Sequence, residues 1–343
     1  MIRFIYFSLH YYRVFSYMKV GIYGFGVIGR LFALTAVERG HEVIGAVDVR
    51  GDLIGKDVGT VLGLGSLGVP ISNDVESLAD ADVILHATGT FLDKIYDQLV
   101  SAVKLGVPIV STCETLAYPY YRYPVLARNL DNLAREYGSV VIGAGVNPGY
   151  IWDSLVVTLS ALVPTVRRIT AVRSFDAAKR REPFRKKVGV GLNPSEFNKA
   201  LSEGRLTGHV GYAESIYLIF TAAGVQPSKI VESQEPVIAQ ERVESSGIIV
   251  EKGCVAGIRG VGIGYLDESE FIRLEFLAYV GAPEYDEIVI ESKDHVIKWR
   301  GTGIHGDRAT AATILSIAEK TPSLSPGLHL ITELLPFSIR IVR

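Results

Sequence analysis

The 343 residues carry 48% hydrophobic and 21% charged side chains with a net charge of -2, an ordinary soluble composition without the basic excess that nucleic-acid binding needs. The length favours two domains over a single core, and no apolar run reaches the roughly eighteen residues that would suggest a membrane span. Two distant cysteines, Cys113 and Cys254, suggest neither a disulfide framework nor a metal site; with the low methionine count they point to a reducing cytoplasm and a thermophilic source.

In chain order, residues 1–17 are aromatic and lightly basic and pass straight into "MKVGIYGFG" without a cleavage site, so Met18 is expected to start the functional protein and 1–17 to be an extension. Mass spectrometry of native protein that retained 1–17 would refute this. From 18 to 150, apolar runs at Val20–Tyr23, Val43–Val47, Val83–His86, Ile109–Ser111 and Val140–Ile142 alternate with helical segments at Val27–Arg39, Asp93–Leu105 and Leu126–Tyr137. Alternation of this kind predicts a Rossmann-type, doubly wound parallel sheet with helices on both faces. Gly106 and Gly138 stand at helix C-caps.

The texture changes after "NPGY". Residues 151–306 read as an α+β second domain with a largely antiparallel or mixed sheet. A helical stretch at Trp152–Leu162 leads into alternating segments at Ile169–Phe175, Phe271–Val280 and Ile288–Trp299. Helices at Pro194–Ser202 and Ala213–Ala223 interrupt them. The glycines of Gly257–Tyr265 are expected to mark bulges or tight turns. Residues 307–343 supply a last helix, Asp307–Glu319, and an apolar tail expected to return to the first domain.

"GIYGFGVIGR" places Gly24, Gly26 and Gly29 in G-x-G-x-x-G spacing between a predicted strand and helix. Gly24 permits the turn, Gly26 lets backbone approach a pyrophosphate, and Gly29 lets the helix pack on the strand; Phe25, Val27 and Ile28 complete the loop. Asp48 ends the next strand nineteen residues after Gly29, where a carboxylate binds ribose hydroxyls and favours NAD, whereas Arg50 could hold the 2'-phosphate of NADP. Ligands collect beyond the carboxyl ends of such strands, so Ala87, Thr88 and Gly89, the stretch "STCETLAYP", and Asn147 with Pro148 should meet there. Among these segments Glu114 supplies the carboxylate beside the nicotinamide position, and a plain helix-entry role is its alternative. Asn147 is a candidate for the nicotinamide carboxamide, the alternative being an Asn-Pro-Gly turn. Tyr150, Trp152, Arg173, His209 and His305 are substrate-site candidates, with packing the competing role for each aromatic or histidine. Lys179, Arg180 and Arg181 form a basic cluster able to meet a carboxylate or simply solvent, while Asp307 and Thr310 suit a helix entry.

"GFGVIGR", "GKDVG", "STCETLAYP", "GVNPGYIWD", "DAAKRREPFRKKVGVGL", "GHVGYAES" and "GIHGDRATAA", in this order, resemble the 2,4-diaminopentanoate dehydrogenases and related native NAD(P)-dependent amine dehydrogenases, whose first domain is similar to that of dihydrodipicolinate reductase. The resemblance runs from Met18 nearly to the C-terminus. It implies reversible conversion of an amine to a ketone plus ammonia with a nicotinamide cofactor, in a homodimer built largely on the second domain, with the catalytic glutamate falling on Glu114. Dihydrodipicolinate reductase itself is the nearest alternative, but its paired-histidine motif and lysine-containing loop have no counterpart. The Glu-Lys-Pro motif of sugar oxidoreductases is likewise missing, since Thr115 follows Glu114, and the Asp-Lys pair of homoserine dehydrogenase cannot be placed. A non-catalytic nicotinamide sensor would keep the glycine loop without needing Glu114.

Overall fold

The computed structural model describes residues 17–341, so the expected extension, apart from Tyr17, lies outside the described residues. Among the described residues, fifteen strands are arranged chiefly in two sheets. The first seven-stranded sheet uses β1 (Lys19–Tyr23), β2 (Glu42–Val47), β3 (Ile71–Ser72), β4 (Val83–His86), β5 (Ile109–Ser111) and β6 (Val140–Gly143), joined from the far end of the chain by β15 (Gly327–His329). Its order is β15-β6-β5-β4-β1-β2-β3 and every pairing is parallel. Fully buried strands such as Val83–His86 show why these runs read as continuously apolar: helices cover both faces. Those helices are α1 (Val27–Glu38), the short α2 (Val58–Leu62), α3 (Leu92–Val103), α4 (Pro119–Arg122) and α5 (Pro124–Tyr137), the last ended by left-handed Gly138.

The second unit contains β7 (Arg168–Asp176), β8 (Lys229–Ile238), the small hairpin β9 (Val243–Ser245) and β10 (Ile248–Val250), then β11 (Val255–Leu266), β12 (Ser269–Tyr279), β13 (Tyr285–Glu291) and β14 (Val296–Gly301). Six of these form a mixed sheet ordered β14-β13-β7-β12-β11-β8, in which only β7 and β12 run parallel. The helices here are α6 (Ser154–Ser160), α7 (Glu182–Lys187), α8 (Pro194–Ser202) and α9 (Tyr212–Ala222). One face of the sheet carries Ile258, Leu274, Phe276, Ala171 and Ile288 into a core shared with Trp152, Tyr212, Ile216 and Phe220. On the other face Val172, Val261, Ile263, Leu277 and Val289 remain partly exposed.

One expectation needs correction. The segment Ile288–Trp299 is not one strand but the hairpin β13–β14, reversed by a turn in which the Ser292 N–H donates to the His295 carbonyl (2.8 Å). The glycines of Gly257–Tyr265 lie within the long strand β11, whose register shifts near Gly257 and Gly264 match the bulge alternative of the expectation and not the tight turn. Gly260 and Gly262 are small because α9 crosses them closely: a Cβ on Gly260 would strike the Tyr212 hydroxyl, and one on Gly262 would lie 2.6 Å from the Tyr212 Cβ. The predicted helix from Trp152 begins at Ser154, after buried Asp153 has accepted the N–H groups of Gly149 (2.8 Å) and Ser154 (2.6 Å).

The last helix, α10 (Gly306–Ala318), packs on α1, where Arg39 holds Glu319 (3.1 Å) and the Ala312 carbonyl (3.0 Å). After β15 the chain crosses back, and the Val166 N–H donates to the Arg340 carbonyl (2.6 Å). The C-terminal segment thus contacts both units, which sets the walls of the cleft between them.

Candidate active site

A cavity of about 460 Å³ opens where the carboxyl ends of β1, β4, β5 and β6 face the second sheet. Its first wall begins with the glycine loop. Gly24 turns at φ +94° and donates to the Val47 carbonyl (2.8 Å); a Cβ on Gly29 would strike the Gly24 carbonyl, whereas one on Gly26 would meet nothing within 4 Å. Gly26, Val27 and Ile28 therefore present free backbone to the cavity at the start of α1, while Gly24, Phe25 and Gly29 shape the turn behind them.

Asp48 braces that turn. Its carboxylate accepts the Phe25 N–H (2.8 Å), the Arg50 N–H (3.0 Å) and the Arg50 Nε (3.2 Å), and Arg50 also donates to the Phe25 carbonyl (3.0 Å). Burial alone would raise the Asp48 pKa, but the donors from Arg50 and Phe25 outweigh it and hold the carboxyl below its usual range. Ala87 and Gly89 line the cavity after β4; Thr88 turns back to the buried His86, whose ring also meets Ser111 (2.8 Å) and Gln98 (3.2 Å). Burial lowers the His86 pKa to about 4.

Glu114 starts a short 3₁₀ turn, Glu114–Leu116, directly after β5. Its flanks are anchored: Cys113 and Thr115 are buried, and the Thr115 hydroxyl accepts the Leu92 N–H (2.8 Å). The glutamate is left to project into the cavity, where Lys187 Nζ from the opposite wall stands 3.5 Å from its Oε1. Asn147 and Pro148, joined by a cis peptide, complete the first wall, and the buried Asn147 Oδ1 has no protein partner.

The opposite wall comes from the inner face of the second sheet and from α7. Phe276 of β12 stacks on His209 (4.4 Å between centroids, 16°), and Trp152 braces the same ring edge-on from behind at 5.3 Å. Burial, then the charges of Lys187 and Arg173, push the His209 pKa well below the usual imidazole range, so the ring is neutral at pH 7. Arg173 of β7 is 2% exposed, lies 3.5 Å from Asp286, donates to the Ile304 carbonyl (2.9 Å), and keeps Nη1 without a partner. Burial lowers its pKa to about 10, which leaves it charged at pH 7. Arg180 lies over Phe175 at 4.3 Å, and Arg181 pairs with Asp307 (3.1 Å).

Several sequence candidates fall elsewhere. Tyr150 is 45% exposed and outside the cavity wall, because the loop that carries it is turned by Asp153; Trp152 is fully buried behind His209. His305 is exposed at the N-cap of α10, outside the wall, while Asp307 and Thr310 of the following turn line it. Lys179 pairs with Glu284 (2.9 Å) and lies outside the wall. Sequence reasoning missed Lys187 and Phe276: the first sits in a run of four basic residues out of seven, and the second alternates like any core residue of its strand.

Against known proteins, a family model described as "2,4-diaminopentanoate dehydrogenase C-terminal domain" matches residues 150–340, and one described as "Dihydrodipicolinate reductase, N-terminus" matches residues 18–114. The chain is 31% identical to the 2,4-diaminopentanoate dehydrogenase of Acetoanaerobium sticklandii over 92% of its own length and 93% of that protein. An amine dehydrogenase of Streptomyces virginiae is 29% identical over 62% of this chain and 61% of its own. Among solved structures, that of an amine dehydrogenase from Mycobacterium smegmatis superposes with a TM-score of 0.82 over 94% of this chain and 97% of that one, at 21% identity, which establishes a common fold.

Proposed function

This chain belongs to the 2,4-diaminopentanoate dehydrogenase family, and we propose on that footing that its site interconverts a primary amine bearing a carboxylate with the matching ketone and ammonia, Glu114 acting as acid and base. It is an oxidoreductase acting on CH–NH2 groups with a nicotinamide cofactor. The observation that carries the site assignment is the placing of Glu114 between the glycine loop and a wall of arginines in one cavity.

The residues present fit a nicotinamide dinucleotide. The backbone of Gly26 to Ile28 would hold its pyrophosphate, Asp48 its adenosine ribose, and the unpartnered Asn147 Oδ1 the carboxamide N–H. When bound, the nicotinamide accepts or supplies the hydride at the substrate carbon. Asp48 supports NAD as the preferred cofactor; because Arg50 is folded onto Asp48, the 2'-phosphate of NADP would have to break that ion pair to reach it.

Glu114 would face the substrate nitrogen, stabilising positive charge there and taking or returning its protons. Arg173 Nη1 and Arg180 offer donors for a substrate carboxylate some distance from that nitrogen, which matches a diamino acid better than a simple amine. Neutral His209 would donate or accept a hydrogen bond without adding charge. Oxidation of 2,4-diaminopentanoate and of simple amines, followed by NADH and NADPH absorbance, tests this reading. Turnover of simple amines alone would remove the carboxylate part, and silence with every amine would move weight to imine reduction or to a sensor.

We further propose a homodimer formed through the partly exposed face of the second sheet, where Val172, Val261, Ile263 and Leu277 lie among the ion pairs Arg168–Glu270 (2.7 Å), Arg273–Glu270 (2.6 Å) and Arg259–Glu275 (3.7 Å). Such linked pairs, with the scarce methionine and cysteine, support a thermophilic source, and a melting point inside the mesophile range of roughly 45–65 °C would contradict that. Among the described residues no helix is long and apolar enough to cross a membrane, and the unpaired Cys113 and Cys254 support a cytoplasmic site of action; fractionation of source cells checks it.

A further inference from the structure

We propose that Lys187 is a second acid–base group of this site, serving the oxygen of the reacting carbon while Glu114 serves its nitrogen. The assignment rests on the amine dehydrogenase reading above. Lys187 ends α7 and enters the cavity from the second unit; its ammonium lies 3.5 Å from Glu114, and the two side chains keep similar access to the cavity, 26% and 25% exposed. Its backbone is tied to the wall, since the Lys187 carbonyl accepts the N–H of Gly208, next to His209. Gly208 itself is required there: it turns at φ +57°, and a Cβ would strike the Gln234 amide.

The other cationic or titratable groups of that wall are unsuited to giving up a proton. Arg173, Arg180 and Arg181 carry guanidinium groups, which donate hydrogen bonds but do not serve as proton donors, and each is held in the wall: Arg173 by Asp286 and the Ile304 carbonyl, Arg180 over Phe175, Arg181 by Asp307. His209 is held neutral and stacked on Phe276. A lysine ammonium, by contrast, is a compact donor that can lose and regain its proton.

The chemistry requires such a donor. Between ketone and amine lies a carbinolamine, one carbon bearing both hydroxyl and amino groups. When its C–O bond breaks, the nitrogen lone pair forms the C=N bond and the oxygen must take a proton to leave as water. Glu114, facing the nitrogen, steadies the resulting iminium cation and exchanges the protons of that nitrogen, which leaves the oxygen on the other side of the carbon to a second donor. Lys187 donates the proton and becomes a neutral amine, so the total charge is unchanged. In the deamination direction water adds to the iminium carbon, the C–O bond forms, and neutral Lys187 takes the released proton.

Rapid mixing of 2,4-diaminopentanoate with the enzyme and the nicotinamide cofactor it uses separates the two steps: the first turnover reports hydride transfer, and the steady state includes hydration of the iminium. Lys187→Gln and Lys187→Arg should leave the first turnover within about threefold of wild type and slow the steady state at least tenfold, toward the roughly 10²–10⁴-fold typical of lost acid–base catalysis. Unchanged cofactor affinity by fluorescence titration establishes that each variant is folded. Restoration of the steady state by arginine would overturn the proposal and leave Lys187 as a partner that only positions Glu114. Equal slowing of both phases, or no slowing, would overturn it as well. A wild-type enzyme inactive on every amine would instead remove the underlying reading.

Discussion

A carboxylate held between two buried neighbours has little freedom except to point into the cavity, and that is the situation of Glu114 between Cys113 and Thr115. Glu114→Gln keeps the shape and removes the ionisable group. We expect turnover to fall by about 10²–10⁴-fold with cofactor affinity unchanged within about twofold, by steady-state kinetics and fluorescence titration. His86 makes a separate prediction about stability. Its pKa falls from 6.5 to about 4 because burial disfavours the charged ring, so between these values the unfolded chain binds the extra proton. Its contribution is therefore complete above about pH 6.5 and is lost as the pH falls toward 4, by about 3 kcal/mol in all. Urea unfolding at pH 7 and pH 5 should show this decline in wild type and a shallower one in His86→Asn. Glu114 stood out in the sequence as a carboxylate at a strand end, whereas His86 entered only as the last residue of an apolar run. The surroundings of each were not visible there, because Lys187, which faces Glu114, and the segments whose packing buries His86 are distant along the chain.

Elements of the first sheet were legible because strands buried on both faces are uniformly apolar and their helices have a clear period, so the predicted boundaries fall within two residues of the observed ones for α1, α3 and α5. The second sheet was harder. In β11 the glycines broke the alternation on which strand reading depends, although they are the reason α9 can lie against it. Gly260→Val should place its side chain against the Tyr212 hydroxyl and destabilise the fold by about 1–3 kcal/mol. A denaturation midpoint unchanged from wild type would show that α9 can retreat at no cost.

At the scale of the whole molecule, the partly exposed sheet face is the test of assembly. Leu277→Lys sets a charge opposite Arg259 and diagonal to Val261 on that face, and light scattering should show the wild type at about 75 kDa, twice the 37.4 kDa chain, and the variant at the monomer mass. A wild type that scatters as a monomer would end the dimer proposal. By itself the sequence determined what depends on neighbours close along the chain: the glycine turn, the strand and helix periods, the acid at the end of β5 and the family to which their order points. Tertiary structure alone decided which distant side chains share the cavity. It set Lys187 opposite Glu114, stacked Phe276 on His209, and moved Tyr150 and His305 out to solvent, because those placements depend on how β7, β12 and α7 meet the first sheet rather than on any local pattern.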